Sequence, residues 1–526
     1  MLRPGGWLPE CAADHQEFMN VSRDSPAREA QEHQAPPPVD QAIVRRIIVG
    51  IILAMFLSAL EQTIVAPALP TIGRRLGDVE SLSGVMTAYL LCATVATPLF
   101  GKLSDIYGRR TMMLTSIGVF VIGSIACALA PTVWLLVLAR ALQGLGGGGI
   151  LPLAQTVIAD LLSPRERPMV QSYSSVMFMC ASILGPVMGG LLTDYIHWSM
   201  IFWINLPLGA VALLVTGRAL RLLPRHDRPH RLDFVGAALM VGASIALLLA
   251  LSSPGSHYHW ISAPILGLFG VSALLWLLFV RRLSTAPEPL IPLDMVRERL
   301  IGAVVAAGFF GIGTIVGIAI FMPLYIQLVL GQSASASGLV LIAFMGGATL
   351  GSLMAGRLIS RLDHYKRVPL TALPLGIVAL AIFAVSPGSF SVLEVAALLA
   401  LAGLGMGTLY PATTVIIQNA VLPHQLGIAT GTLNFFRQLG GAIVVAIFGA
   451  IVIGGIDAKT GGILTFPGLT GAEADFATLF RWVFIAAAGF LSAAFIAIVL
   501  IEERPLRGPA GGQQPAGIAA RPLAAE

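Results

Sequence analysis

Long apolar stretches without formal charges recur along almost the whole chain, and they limit the folds that it can adopt. The first, IIVGIILAMFLSAL at 47–60, follows Arg45 and Arg46, and only Glu61 carries a charge before Arg74. Overall, 56% of the 526 residues are hydrophobic and 11% are charged, against about 25% charged in soluble domains. Lipid offers no partner to an unpaired backbone group, and these runs do not alternate as barrel strands do, so they predict transmembrane helices.

Fourteen of these stretches are long enough to cross a bilayer about 30 Å thick as helices. The sequence therefore predicts an all-α integral membrane protein, and the even number of spans places both termini on one side. The predicted spans are 47–69, 82–100, 111–130, 133–159, 169–192, 200–220, 234–251, 261–280, 300–326, 337–359, 368–386, 391–418, 428–453 and 480–501.

Basic residues indicate which side holds the termini. If the N-terminus is cytoplasmic, the opposite side carries only Arg74, Arg75, Lys459 and Arg481. The positive-inside rule then predicts two cytoplasmic termini, and we expect a multi-pass protein of the plasma (inner) membrane. The cytoplasmic connections would contain Lys102, Arg109, Arg110, Arg165, Arg167, Arg218, Arg221, Arg225, Arg228, Arg231, Arg281, Arg282, Arg297, Arg299, Arg357, Arg361, Lys366 and Arg367.

Two pairs of similar motifs indicate an internal duplication. GLGGGGILP at 144–152 is similar to GLGMGTLYP at 403–411, and GKLSDIYGRR at 101–110 is similar to GRLISRLDHY at 356–365. Two landmarks in the same order at nearly the same offset favour two six-helix bundles with two inserted linker helices between them. The expected domains are a disordered cytoplasmic tail at 1–42, an N-terminal bundle at 43–222, a linker at 223–299, a C-terminal bundle at 300–501 and a cytoplasmic tail at 502–526.

The residue pattern disfavours several classes of function. The four cysteines show no C-x-x-C spacing, and the basic residues cluster between spans instead of along one face, so neither a disulfide framework nor a nucleic-acid partner is expected. The spans contain no nucleophile–base set and no His/Asp cluster, which argues against an enzyme, a metal site and a cofactor. The H-x-H at His257 and His259 is interpreted as a solvated turn.

The segment GKLSDIYGRR is predicted to form the turn between spans 2 and 3. Gly101 and Gly108 permit close helix approach, and Asp105 can pair with Arg109 or Arg110 or with the N-terminus of a neighbouring helix. One interpretation is a latch between helices. The other is a solvated turn that merely follows the positive-inside rule.

The same segment matches G-x-L-x-D-x-x-G-R-R, the signature of the major facilitator superfamily, which the chain resembles over about residues 43–501. The resemblance implies a cytoplasmic latch at this position, and a fold of two six-helix bundles around a central cavity. In the second copy Ser360 replaces the aspartate and Asp363 replaces the later glycine, so the signature is not repeated there.

Span 4 contains LARALQGLGGGGILP, which resembles the R-x-x-Q-G pattern of this family at Arg140, Gln143 and Gly144. The resemblance implies that these residues face the central cavity and take part in proton coupling. Leu399 stands at the position that matches Arg140 in the second half, so the repeat itself does not require an arginine. The glycine run predicts close helix packing and not a phosphate loop, because no Lys-Ser/Thr follows it.

Span 5 contains G-P-x-x-G-G at Gly185, Pro186, Gly189 and Gly190. An ordinary membrane kink is one interpretation, since proline removes a helical hydrogen bond and glycine permits tight packing. The pattern also resembles the antiporter motif of proton-coupled drug exporters, which include a branch with fourteen spans. LEQTIVAPALP in span 1 resembles that branch too, with Glu61 where the branch has aspartate.

Glu61 and Arg140 are expected at the same depth in the membrane. Glu61 lies eight residues before the predicted outer end of span 1, and Arg140 lies seven residues after the outer start of span 4, which places both about 10 to 12 Å below the outer surface. One hypothesis is a proton-coupling switch, in which Glu61 alternates between pairing with Arg140 and taking up a proton. The other is a permanent ion pair that stabilises the bundle.

Other polar residues of the spans are candidates for a substrate cavity. These are Gln143, Gln155, Tyr410 and Asn434. Arg437 in span 13 has either a cavity or coupling role or a structural one, in which it pairs with carbonyl groups or polar neighbours.

The sequence and the resemblance together predict a monomeric exporter of amphipathic small molecules that works by alternating access. A proton gradient would drive it, so the expected partners are substrate, protons and lipid, with no cofactor. Two alternatives remain open at this point. One is an importer or facilitator of a metabolite in the same fold, and the other is a membrane sensor or scaffold without transport.

Overall fold

The computed structural model describes residues 41–77, 82–222, 233–252, 262–292, 297–362, 364–457 and 476–503, with positions 295 and 506. All regular secondary structure in these residues is helical. Several predicted features lie outside the described residues, namely most of both tails, the turn with His257 and His259, residues 223–232 of the linker, Asp363 and Lys459.

The described residues of the first half of the chain, up to residue 222, form one bundle of eight α-helices that make six spans. They are α1 (Gln41–Ile64), α2 (Leu69–Leu76), α3 (Leu82–Tyr107), α4 (Arg109–Ala128), α5 (Val133–Leu161), α6 (Arg167–Tyr195), α7 (Met200–Trp203) and α8 (Asn205–Ala219).

Two linker helices and a second bundle follow. The linker helices are α9 (Phe234–Ser252) and α10 (Ala263–Thr285). The second bundle contains α11 (Arg299–Leu328), α12 (Ala334–Arg361), α13 (Arg367–Val385), α14 (Val392–Gly407), α15 (Leu409–Ala420), α16 (Leu426–Asp457) and α17 (Phe476–Leu500).

Within the described residues, fourteen segments are long and apolar enough to cross a membrane, which confirms the predicted all-α membrane architecture. Some predicted boundaries were wrong. The first span extends to Leu76, because α1 continues through a 3₁₀ turn at Ala66–Ala68 into α2. The span predicted at 391–418 is confirmed as Val392–Ala420, and Thr408 separates the two helices α14 and α15 within it.

The GKLSDIYGRR segment differs most from its prediction as a turn. Its residues 101–107 continue α3, and α4 begins at Arg109, so the connection is Gly108 alone. Gly108 has a φ of 87°, which a residue without a Cβ adopts at little cost. Since α3 extends to Tyr107, Asp105 lies on the last turn of a helix and not on a loop.

The two bundles repeat the same packing. In the first, α5 packs on α3 and α4, and α1 packs on α6. In the second, the equivalent α14 packs on α12 and α13, and α11 packs on α16. The largest buried apolar cluster lies mainly in the second bundle and extends to the linker helices and to Ala159 of α5, whereas smaller clusters form the core of the first bundle. The bundles meet along two seams, α3 with α16 and α6 with α12.

Matched glycines of the internal repeat lie at both seams. A Cβ added to Gly101 on α3 would come 2.5 Å from the carbonyl oxygen of Gly427 on α16. A Cβ added to Gly356, the equivalent residue on α12, would come 2.8 Å from the carbonyl oxygen of Pro168 on α6. Real Cβ atoms do not approach so closely, so each glycine is where the opposite bundle makes backbone contact.

The linker helices lie beside one seam. The helices α9 and α10 pack on each other, and α9 also contacts both α3 and α16. Leu248 of α9 belongs to a buried cluster with Phe435 and Leu439 of α16, against which Leu91 of α3 packs. One inserted helix therefore contacts both bundles at once.

Candidate functional site

An ion pair between Glu61 and Arg140 lies in the interior of the first bundle. Both side chains are fully buried, and Arg140 Nη1 contacts Glu61 Oε1 directly. Glu61 is near the end of α1, and Arg140 is in the second turn of α5. Burying two charges is costly unless each is paired and hydrogen-bonded, so the remaining contacts of this pair decide whether it is stable.

Polar neighbours supply further hydrogen bonds to this pair, although Arg140 Nη2 is buried without a partner in the described structure. Asn205 Nδ2, at the start of α8, donates to Glu61 Oε2 at 2.5 Å. Arg140 Nη1 also donates to Gln143 Oε1 at 2.6 Å, and Gln143 Nε2 donates to Ser124 Oγ of α4 at 2.7 Å. Four helices, α1, α4, α5 and α8, thus contribute to one polar cluster inside an apolar bundle.

Aromatic rings cover the guanidinium group of Arg140. Its Cζ atom lies 4.3 Å from the centre of the Tyr89 ring and 5.9 Å from that of Phe202. A cation over an aromatic face is stabilised electrostatically, more strongly when water is excluded. Sequence analysis did not identify Tyr89, Phe202, Ser124 or Asn205, although Asn205 could have been noticed as an amide between apolar residues of a span.

The glycine run of α5 brings this cluster together. A Cβ at Gly144 or Gly148 would overlap the backbone of α3 at Tyr89 or Ala93, and one at Gly146 would overlap α4 at Phe120. Close approach of α3 and α4 to α5 places Tyr89 and Ser124 beside Arg140 and Gln143. The glycines therefore position the site and do not contact a phosphate.

Two glycines of the G-P-x-x-G-G motif in α6 face α1. A Cβ on Gly185 would overlap the Thr63 side chain, and one on Gly189 would overlap the Ile64 carbonyl. Pro186 lies inside α6 with its side chain exposed, and a Cβ on Gly190 would have open space around it. Two of the four residues thus lie against the turn of α1 that carries Glu61.

Asp105 connects the two bundles at the end of the molecule where α3 ends, called the Asp105 end below. Its carboxylate accepts hydrogen bonds from the backbone N–H groups of Gly427 at 3.1 Å and Ile428 at 2.9 Å. These groups belong to the first turn of α16, where helical N–H groups have no partner within the helix and carry partial positive charge. Asp105 therefore caps a helix of the opposite bundle.

The arginines of the same segment bind to their own bundle. Arg109 contacts Asp105 and donates from Nε to Asp160 Oδ2 of α5 at 2.8 Å. Arg110 Nε donates to the carbonyl oxygen of Gly217 on α8 at 3.1 Å. Both latch partners considered from sequence, an arginine and a helix N-terminus, are thus present at Asp105.

Gln155 of α5 is the centre of a second polar contact between the bundles. Its Nε2 donates to Tyr410 Oη at 2.8 Å, and its Oε1 accepts from Asn434 Nδ2 at 2.6 Å. Its carbonyl oxygen accepts from Gln418 Nε2 at 3.2 Å. Three of the candidate cavity residues therefore meet directly at the bundle interface, together with Gln418, which sequence analysis did not identify.

Arg437 lies next to this contact. Its guanidinium donates to Thr413 Oγ1 at 2.6 Å, Thr414 Oγ1 at 2.9 Å and the Tyr410 carbonyl oxygen at 3.0 Å, all on α15. A longer bond of 3.2 Å reaches Asn434 Oδ1. The side chain is 3% exposed, and all of these acceptors are uncharged.

Comparison with known proteins supports one family. The model of the Major Facilitator Superfamily matches residues 51–233 and 219–445. Over 419 residues the chain is 33% identical to the multidrug transporter protein MdtP of Bacillus subtilis (strain 168), an alignment that covers 80% of this chain and 76% of that protein. It is 32% identical over 411 residues to multidrug resistance protein 3 of the same organism, covering 78% and 80% of the two chains.

Solved structures show the same fold at lower identity. The proton:xylose symporter XylE superposes with a TM-score of 0.60 at 14% identity, covering 89% of this chain and 98% of that one. A bacterial homologue of the iron transporter ferroportin superposes with a TM-score of 0.61 at 11% identity, covering 87% and 98%. Identities this low bear on the arrangement of helices alone.

Proposed function

Since this chain belongs to the major facilitator superfamily and is a membrane transporter, not an enzyme, we propose that it exports amphipathic small molecules by exchange for protons. The names of its relatives, a multidrug transporter and a multidrug resistance protein, favour export of drug-like compounds over import of a metabolite. The observation that carries the proposal is the fully buried carboxylate of Glu61, paired with Arg140 inside the first bundle.

We propose that the Asp105 end faces the cytoplasm, with both termini on that side of a plasma (inner) membrane. Arg109, Arg282 and Arg361 lie at this end of their helices, and Arg165 lies in the connection between α5 and α6 at the same end. Positive charge of short connections favours the cytoplasmic side. In this orientation the contacts of Asp105 and Gln155 close the cytoplasmic side.

Glu61 would couple proton and substrate by accepting a proton when the cavity opens outward. A proton on Glu61 removes the charge that pairs with Arg140, and the groups that face the carboxylate, Arg140, Asn205 and the nearby Tyr89 and Cys127, must then rearrange. If substrate and proton favour different arrangements of this cluster, one displaces the other. Alternating access would then open Glu61 to the cytoplasmic side, where it releases its proton.

The available energy suits one proton per cycle. A proton that crosses a potential of about 150 mV releases roughly 3.5 kcal/mol. At about 1.4 kcal/mol for each tenfold concentration ratio, this sustains a gradient of a few hundredfold. One membrane carboxylate is therefore sufficient for useful export.

The test is the Glu61→Gln variant, which keeps the shape and one hydrogen-bond acceptor but cannot exchange a proton. In proteoliposomes with an imposed pH gradient we expect it to lose gradient-driven flux of an amphipathic dye. In purified wild-type protein, dye affinity should fall as pH falls and binding should release a proton, since the coupling is reciprocal. The variant should show neither effect.

Glu394→Gln is the matched control, because Glu394 lies in the first turn of α14 and caps that helix with Ser391. It should retain flux and pH dependence. If Glu61→Gln keeps gradient-driven flux with unchanged pH dependence, Glu61 is a structural partner of Arg140. The proposal that Glu61 couples proton to substrate would then be wrong.

A further inference from the structure

The membrane interior carries one positive charge more than the acidic residues there can balance. In the first bundle Glu61 balances Arg140. Between residues 300 and 501 the acidic residues are Asp363, Glu394, Asp457, Glu473 and Asp475. Glu394 and Asp457 lie in terminal turns, and the other three lie outside the described helices. Among the residues that the structure describes, the spans of the second bundle have no carboxylate in their interior to balance Arg437.

The contacts of Arg437 satisfy its hydrogen bonds only in part. Four neutral oxygens accept from its two terminal nitrogens, and the Tyr410 ring centre lies 4.5 Å from its Cζ atom. Its Nε is buried without a hydrogen-bond partner in the described structure. Neutral acceptors orient a guanidinium, but they do not cancel its charge, which is costly at this depth in a membrane.

A purely structural link between α15 and α16 would not need that charge. Amide side chains already make such links here, since Gln418 Nε2 of α15 donates to Thr430 Oγ1 of α16 at 3.3 Å. Arginine differs from an amide in its permanent charge and in the planar fork that binds a carboxylate, sulfonate or phosphate through two parallel hydrogen bonds. The residue type therefore points to an acidic partner that the chain itself does not supply.

Arg437 also lies where a transported molecule would reach it. It is eleven residues after the start of α16, about 16 Å along the helix and so near the middle of a bilayer core of about 30 Å. Its neighbours Tyr410 and Asn434 are held by Gln155 of the opposite bundle. When the bundles separate at the Asp105 end, those two bonds must break, and the polar face of α15 and α16 opens toward that side.

We propose that Arg437 binds the acidic group of an amphipathic cargo molecule, with the Tyr410 ring against its apolar part. The cargo would carry a carboxylate, sulfonate or phosphate, and it would enter from the Asp105 end once the Gln155 contacts are broken. This inference rests on the proposed function for the direction of entry. The charge balance that motivates it does not depend on proton coupling.

Two dyes with one scaffold test this inference: anilinonaphthalene sulfonate, which is acidic, and phenylnaphthylamine, which lacks the sulfonate. Equilibrium binding of each to the purified full chain in phosphatidylcholine nanodiscs needs no gradient, so failure of proton coupling would not affect it. We expect Arg437→Gln to weaken sulfonate binding by about tenfold to a hundredfold, the usual value of a charge-assisted hydrogen bond. Phenylnaphthylamine binding should change by less than about twofold, within the ordinary effect of a substitution that leaves the charge-free contacts intact.

Arg437→Lys keeps the charge without the planar fork. Its affinity for the sulfonate should therefore lie between those of wild type and Arg437→Gln. Arg481→Gln is the matched control, because Arg481 is exposed near the start of α17. The ratio of the two dye affinities within each variant corrects for partial misfolding. A second set of nanodiscs with phosphatidylglycerol shows the source of the acid, since displacement of the sulfonate by this lipid would identify a lipid headgroup as the occupant.

Displacement by the lipid would contradict binding of a cargo molecule, and three further results would overturn the proposal. The first is wild-type protein that does not bind the sulfonate. The second is Arg437→Gln protein that binds it as tightly as wild type. The third is an equal loss of affinity for both dyes in Arg437→Gln and in Arg437→Lys, which would show that Arg437 only links α15 to α16.

Discussion

Single residues at the bundle interface determine how firmly the Asp105 end is closed. Asp105 is 5% exposed and brings a full negative charge to two backbone N–H groups at the start of α16. The interaction of a carboxylate with a helix N-terminus stabilises by about 0.3 to 2 kcal/mol. Because the two groups belong to different bundles, this energy is present only while the bundles are in contact here.

Asp105→Asn should therefore favour opening of this end without changing the cavity. The amide keeps one acceptor oxygen but loses the charge. We therefore expect the closed state to lose about 1 kcal/mol of stability relative to the open state, which corresponds to about a fivefold rise in the open fraction. Ser352 of α12 is fully buried in the second seam. In a background without the native cysteines, the labelling rate of Ser352→Cys by a soluble thiol reagent measures this opening.

Asp160→Asn is the matched control. Asp160 pairs with the same Arg109 but makes no hydrogen bond or ion pair with α16 in the described structure, so loss of its charge should leave the labelling rate near that of wild type. If both variants raise the rate equally, the charge of Arg109 controls opening. If Asp105→Asn lowers ligand affinity as much as transport rate, its role is in binding and not in the latch.

At the scale of helices, the sequence predicted the type and number of elements because each apolar run is long and unbroken. It could not predict where helices end when the connection is a single glycine, as at Gly108, or when a helix bends without leaving the membrane, as at Pro67. It also indicated Glu61, Arg140 and Asp105, since charges in apolar surroundings are conspicuous. Thr413 and Ser175 lack such a signal, because uncharged polar residues occur in many spans.

The linker helices depend on an acidic residue at the start of α9. Asp233 Oδ1 accepts from the backbone N–H of Gly236 at 3.0 Å, and Asp233 pairs with Arg282 of α10 at 3.1 Å. The first contact caps α9, and the second joins the two linker helices at the Asp105 end. Since α9 contacts both α3 and α16, disorder at its start would weaken its packing against both bundles.

Asparagine and alanine at position 233 separate these two contacts. Asparagine caps helices about as well as aspartate, whereas replacing a cap by alanine costs about 1 kcal/mol. Asp233→Asn should lower the melting temperature slightly, through the partly exposed ion pair alone. Asp233→Ala should lower it further and speed amide exchange at Gly236 and Ala237. Equal effects of the two variants would show that the ion pair, not the cap, holds the linker.

At the scale of the whole molecule, two seams related by the internal repeat close one end. Gly101 and Asp105 contact α16 at one seam, and Gly356 contacts α6 at the other. At the second seam Ser175 Oγ of α6 donates to Ser352 Oγ of α12 at 2.8 Å. Sequence alone could not pair these two serines, since they are far apart in the chain and nothing in their neighbourhoods marks a contact. If transport requires the bundles to separate, both seams must open in every cycle.

A disulfide across the second seam tests this requirement. Hydroxyl oxygens 2.8 Å apart place the two β-carbons within reach of a disulfide, which needs a Cβ–Cβ distance of about 3.5 to 4.5 Å. In the background without native cysteines, Ser175→Cys combined with Ser352→Cys should cross-link under mild oxidation. The cross-linked protein should lose all flux in proteoliposomes, because a covalent bond holds the Asp105 end closed, and reduction should restore it.

Each single cysteine variant, treated in the same way, should retain flux before and after oxidation, which separates cross-linking from the effect of the substitutions. The extent of cross-linking is measured by intact mass on the same sample as the flux. Because the two sites are on different bundles, full cross-linking with undiminished flux would mean that cargo passes without separation of α6 from α12. Movement would then have to be confined to the seam of α3 and α16, where α9 also lies, and the molecule would work as a hinged gate instead of two bundles that rock against each other.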